Sequence, residues 1–151
     1  HVRSRRQRQM CIRDSLLPGH TSTVGEVLLA PHKNYSVIIN DLVEKKQNIA
    51  GVAHITGGGL IDNVPRILPN GLSVEIDIGR WKKIPIFDFL NKALDLKNEE
   101  FYRTFNMGIG LVFIVGANNK ENIMELLKND GCVEIGRVIK DASQKVYLNE
   151  Q

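Results

Sequence analysis

From Tyr35 onward the apolar residues fall at Tyr35, Ile38, Ile39, Leu42 and Val43, a stripe spaced i, i+3, i+4, i+7, i+8 that predicts an amphipathic helix. Proline suits a first helical turn, so the helix is expected to begin near Pro31 and to end in Glu44-Lys45-Lys46. The short apolar run Val52-Ala53-His54-Ile55 predicts a buried strand. It leads into Thr56-Gly57-Gly58-Gly59 and then a helix start over 60–64, which Pro65 shortens or kinks. Pro69-Asn70-Gly71 marks a turn, and strict alternation of apolar and polar residues over 72–78 predicts a half-buried strand.

Pro85 opens a further helix with Ile86, Phe89, Leu90, Ala93 and Leu94 on one face. Asn98-Glu99-Glu100 reads as a cap with acids in the first turn of another short helix, through Phe101 and Tyr102. The unbroken apolar run Leu111–Val115 predicts a strand covered on both faces. A helix is expected over 119–129, stopped by Gly131, and two last strands over 133–139 and 145–148. Interleaved strands and helices give an α/β or α+β class, a mixed β-sheet flanked by helices.

Composition sets the scale: 151 residues, 42% hydrophobic and 25% charged, suit one ordinary globular domain and argue against disorder, collagen or coiled coil. No stretch approaches the ~20 apolar residues that a membrane-spanning helix requires. The 2 cysteines make no disulfide framework and match no zinc spacing. The net charge of +3 invites a nucleic-acid reading, but its distribution removes that reading. Arg3, Arg5, Arg6, Arg8 and Arg13 stand in the first fifteen positions with one acid, Asp14, whereas residues 16–151 carry 15 basic against 16 acidic residues. Without aromatic and basic interleaving in the body, no nucleic-acid partner is expected. The tail lacks the apolar core of a signal peptide. Its Met10-Cys11-Ile12-Arg13-Asp14-Ser15 resembles the translation of a transposon adapter used in sequencing libraries, so residues 1–15 are expected to be a non-native tail. Cys132 is then the one native thiol, in keeping with a reducing compartment.

Two segments carry candidate chemistry. In the strand–glycine–helix segment, three consecutive glycines can take positive φ and gather backbone N–H groups into a concavity that suits a phosphate. The segment is neither a Walker A loop nor G-x-G-x-x-G, and a purely structural turn is the competing interpretation. His54 beside it is either a strand-end histidine held by a hydrogen bond or a weak candidate for catalysis. The second segment runs from Phe101 through Arg103, Thr104 and Asn106 to Gly108 and Gly110, either a ligand approach or an ordinary helix-to-strand joint. Arg66, next to Pro65 and close to Asn63, is either a cation near the glycine loop or a surface arginine. Trp81 is expected to be a packing anchor.

Taken together, three segments in order, His54-Ile55-Thr56-Gly57-Gly58-Gly59-Leu60, Asn63-Val64-Pro65-Arg66-Ile67-Leu68-Pro69 and Tyr102-Arg103-Thr104-Phe105-Asn106-Met107-Gly108-Ile109-Gly110, resemble the C-terminal domain of the phosphoribosylformylglycinamidine cyclo-ligase family, the aminoimidazole ribonucleotide synthetases. The resemblance spans about 23–148 and includes Gly25-Glu26-Val27-Leu28-Leu29-Ala30-Pro31; the family's usual Pro-Thr pair is Pro31-His32 here. It implies ATP-dependent closure of the imidazole ring of formylglycinamidine ribonucleotide in purine biosynthesis, with ATP and Mg²⁺ as cofactors, a homodimer and a cytoplasmic setting. Thr56, Gly57, Gly58, Gly59, Arg66, Arg103, Thr104 and Asn106 become candidate substrate- or phosphate-binding residues, with no metal ligand among them. Residues 16–151 are expected to be a C-terminal domain truncated at its start. The N-terminal ATP-binding domain is expected to be missing from it, and the isolated chain is expected to be inactive. The alternatives are a stand-alone anion- or nucleotide-binding module, or another member of the same superfamily.

Overall fold

The structure, a computed structural model, describes residues 13–94 and 96–150; most of the expected tail, including Cys11, lies outside them. The described helices are α1 (Val24–Leu28), α2 (Ser36–Glu44), α3 (Gly59–Asn63), α4 (Pro85–Leu94), α5 (Asn98–Thr104) and α6 (Lys120–Leu126). The strands are β1 (Ile49–His54), β2 (Leu72–Asp77), β3 (Leu111–Val115), β4 (Gly136–Lys140) and β5 (Val146–Asn149). They form two compact units: residues 13–32 with 83–97, and residues 33–82 with 98–150.

The first unit pairs α1 with α4. Helix α1 is too short to show a period, but a reciprocal capping box starts it. The Glu26 amide donates to Thr23 Oγ1 at 3.2 Å, and the Thr23 amide donates to the Glu26 carboxylate at 2.8 Å. The Thr23 amide, together with the Thr23 hydroxyl donating to the same carboxylate at 3.0 Å, holds the Glu26 carboxyl below its ordinary range. Leu17 and Val24 are buried here, with Ile86 and Phe87 of α4.

The second unit holds all five strands, in two sheets. In the smaller, β1 and β3 pair antiparallel from His54↔Leu111 to Ile49↔Val115, with the register shifting between Ile49 and Gly51. In the other, β2 is central, antiparallel to β4 and parallel to β5, so this sheet is mixed as expected. Leu42 of α2 and Ile123 of α6, with Leu127, form a buried cluster against Ile49, Phe113 and Val115, which seats both helices on the smaller sheet.

Four expectations change. The predicted start of α2 near Pro31 moves to Ser36, because the Asn34 carboxamide oxygen accepts from the Ser36 amide at 2.9 Å and starts the helix there. The helix expected over 119–129 stops at Leu126 and tightens into a 3₁₀ turn, Lys128–Asp130, before Gly131 takes φ 75°. The strand expected from residue 133 begins at Gly136. Strand β3 is not covered on both faces: Val112 alone is buried and the other four residues are half-buried. It pairs as a strand with β1 only, and it lines a cavity of about 600 Å³ together with residues of β4 and of 130–135.

Candidate functional site

The site grows from the end of β1. Beyond His54 the chain keeps one more contact with the β3 side, where the Ile55 amide donates to the Gly110 carbonyl at 2.9 Å. It then turns through 56–59 into α3. Gly58 and Gly59 take φ of 99° and 57°, in the left-handed region that glycine enters without strain. Gly59 is buried, and a Cβ on it would overlap the carbonyl oxygens of Tyr102 and Phe105, so the loop rests against the backbone of α5. Thr56 and Gly57 stay exposed.

Asn63, the last residue of α3, holds the turn closed. Its side chain is buried, and its Nδ2 donates toward the carbonyls of Gly59 at 2.8 Å, Gly57 at 3.2 Å and Thr56 at 3.4 Å. With three carbonyls gathered on one inward donor, the loop's acceptors are drawn away from its exposed side. The same carboxamide's Oδ1 accepts from Arg66 Nη1 at 3.2 Å, which ties an exposed guanidinium to the glycine turn through a neutral partner. Arg103 arrives from α5: Nη1 donates to Asp62 Oδ1 at 2.7 Å and Nη2 to Glu99 at 3.3 Å. Asp62 lies over the turn, since a Cβ on Gly58 would stand 2.7 Å from Asp62 Cβ and 3.2 Å from its Oδ2.

The glycine loop, Arg66 and Arg103 therefore share one neighbourhood, joined through Asp62 and Asn63. Two other candidates are engaged in local structure. The Thr104 hydroxyl donates to the Glu100 carbonyl at 2.8 Å along its own helix. The Asn106 carboxamide oxygen accepts from the Gly108 amide at 3.0 Å, and the Ile109 amide donates to the Asn106 carbonyl at 2.9 Å. These bonds shape the turn in which Met107 takes φ 54° and Gly108 φ 90°. Trp81 is the expected anchor: its buried indole donates to the Met107 carbonyl at 2.9 Å. His54 is exposed at the end of β1, its ring edge-on to Tyr35 with centroids 6.3 Å apart. Periodicity did not mark Asn63 and Asp62 as parts of the site; the available signal was their place directly between the glycine run and Arg66.

Chemically, two guanidiniums beside a glycine turn suit a phosphate or another oxyanion. Among the described residues no group of three or more His, Cys, Asp or Glu side chains is placed to hold a metal ion. No described helix is long and apolar enough to cross a membrane.

The family model described as "AIR synthase related protein, C-terminal domain" matches residues 6–149. A phosphoribosylformylglycinamidine cyclo-ligase of Bacillus licheniformis is 47% identical over 117 residues, covering 76% of this chain and 34% of the relative. Proteins of the same name from Lactobacillus acidophilus and Bifidobacterium animalis subsp. lactis are 47% identical over 128 and 42% over 127 residues, each match covering 83% of this chain and 37% of the relative. The chain thus spans little more than a third of the length of these curated relatives. With nearly its whole length matched, the chain belongs to the AIR synthase related protein, C-terminal domain family.

Proposed function

We propose that this chain works as the C-terminal part of a phosphoribosylformylglycinamidine cyclo-ligase. In that role it contributes to the ATP-dependent conversion of formylglycinamidine ribonucleotide to aminoimidazole ribonucleotide, in a cytoplasmic homodimer. The observation that supports this is the joining of the glycine loop, Arg66 and Arg103 through Asp62 and Asn63. In this reading Thr56 and Gly57, the exposed part of the loop, face the substrate phosphate while Gly58 and Gly59 set its shape, Arg66 and Arg103 supply the positive charge, and Thr104 and Asn106 shape the backbone that brings Arg103 and the loop together. ATP and Mg²⁺ belong to the full-length enzyme, with their main sites in its N-terminal domain.

The test is a chimaera in which residues 23–148 replace the matching third of the Bacillus licheniformis relative. It should form aminoimidazole ribonucleotide with ATP, while the purified 151-residue chain alone should not. In the chimaera, Arg66→Ala should raise KM for the ribonucleotide about tenfold, the worth of one charge-assisted hydrogen bond. A folded chimaera without turnover would favour the stand-alone anion-binding module, and turnover by the chain alone would contradict the proposal.

A further inference from the structure

Arg103 is committed to two carboxylates, and one of them, Asp62 of α3, lies over the glycine turn. Its stronger contact is the 2.7 Å ion pair with Asp62, which is the shorter of the two and the more shielded carboxylate; Glu99, at 3.3 Å, is 77% exposed. Asp62 also stands against Gly58, so its negative charge sits where a phosphate on the loop would place its own. Like charges that close repel, and both compete for the same guanidinium. Arg66 differs, because its partner is the neutral carboxamide of Asn63 and it can meet an anion without giving up an ion pair.

We infer that Asp62 is an affinity-limiting residue of this site: a phosphate ester binds by taking Arg103 from Asp62, and Asp62 reclaims Arg103 when the ester leaves. This rests on the phosphate-binding role proposed above for the same loop and adds the element that regulates it. The exchange keeps the charge of the site nearly balanced without the ester, and it favours release of the ester over tight retention. A purely structural Asp62 would give the opposite sign, since loosening the loop would weaken binding.

The experiment titrates ribose 5-phosphate, with inorganic phosphate as second probe, into the full 151-residue chain by calorimetry at low and at physiological salt. Asp62→Asn should bind ribose 5-phosphate roughly two- to fivefold more tightly than the unaltered chain, as expected for an exposed ion pair, and the gain should shrink as salt rises. Glu99→Gln removes the same charge from the more exposed partner and should gain less. Asp62→Ser serves as the second variant, and in the unaltered chain the ¹⁵N resonance of the Arg103 guanidinium should move during the titration. Equal or weaker binding by both Asp62 variants, or a static Arg103 resonance while the chain binds, overturns the inference and leaves the proposed site standing. No binding of either probe to any of the chains overturns both.

Discussion

Gly57 and Gly59 look alike in sequence and differ in what the fold asks of them. Gly59 combines φ 57° with no room for a side chain, since a Cβ would fall on the Tyr102 and Phe105 carbonyl oxygens, whereas a Cβ on Gly57 would meet nothing within 4 Å. Gly59→Ala should therefore cost about 2–4 kcal/mol, from a left-handed alanine plus a backbone clash, and should displace α5 with Arg103. Gly57→Ala should stay within about 1 kcal/mol of the parent. Urea unfolding of the two variants checks this; equal costs would contradict the packing of the loop on α5. The sequence showed that a glycine turn was there, because three glycines between a strand and a helix are a local signal. It could not show which glycine was obligatory, since the reason is the carbonyl of Tyr102, more than forty positions away. The same holds for Arg103 with Asp62 and for Trp81 with Met107, pairs that only the tertiary fold creates.

Strands β2, β4 and β5 meet at one carboxylate. Asp141, in the connection after β4, accepts hydrogen bonds from Ser143, from Tyr147 at 2.7 Å and from Ser73 at 2.8 Å, and Ser73 in turn accepts from the Lys145 amide at 3.0 Å. These donors, Ser143 foremost, hold the Asp141 carboxyl well below the usual carboxylate range. A carboxyl depressed in the folded chain stabilises it above the unfolded value, about 3.9, and that contribution is lost as pH falls from there through the lower folded value. Asp141→Asn should therefore be less stable than the parent at pH 7, and the gap should narrow below about pH 4. Thermal melts across pH 7 to 2 measure it; a gap that stays constant into acid would mean that the ionised form has no special role. The elements themselves were legible from period and punctuation: β2 from its alternation, α4 from Pro85 and its apolar face, β3 from its continuous apolar run. Boundaries were less so, because side chains such as Asn34 decide where a helix starts by bonds that leave no period.

What the pattern did not reveal is that the five strands divide into two sheets. An unbroken apolar run suggests a strand covered on both sides, yet β3 pairs with β1 alone and leaves four of its five residues half-buried. Strands are legible from local pattern, but their partners depend on contacts far apart in sequence, so the run could not report that one flank of β3 borders a cavity. That cavity, about 600 Å³, is walled by Leu111, Phe113 and Ile114 on the β3 side and by Val138 of β4, with Lys33 and Lys120 also among its lining residues. Val138 is 38% exposed, so apolar wall is reachable from solvent. Apolar concavities of this size bind small hydrophobic molecules, and its two lysines are paired with carboxylates, Lys33 with Asp130 at 3.0 Å and Lys120 with Glu134 at 3.2 Å, so the apolar wall is what a ligand meets. The full chain should therefore enhance the fluorescence of the dye 1-anilinonaphthalene-8-sulfonate while still melting in a cooperative transition, which separates a formed cavity from a molten state. Val138→Asp, placing a like charge in the wall, should reduce that enhancement several-fold with little change in circular dichroism. A cooperatively melting chain that leaves the dye dark would show that the two sheets close on each other in solution and that β3 is covered after all.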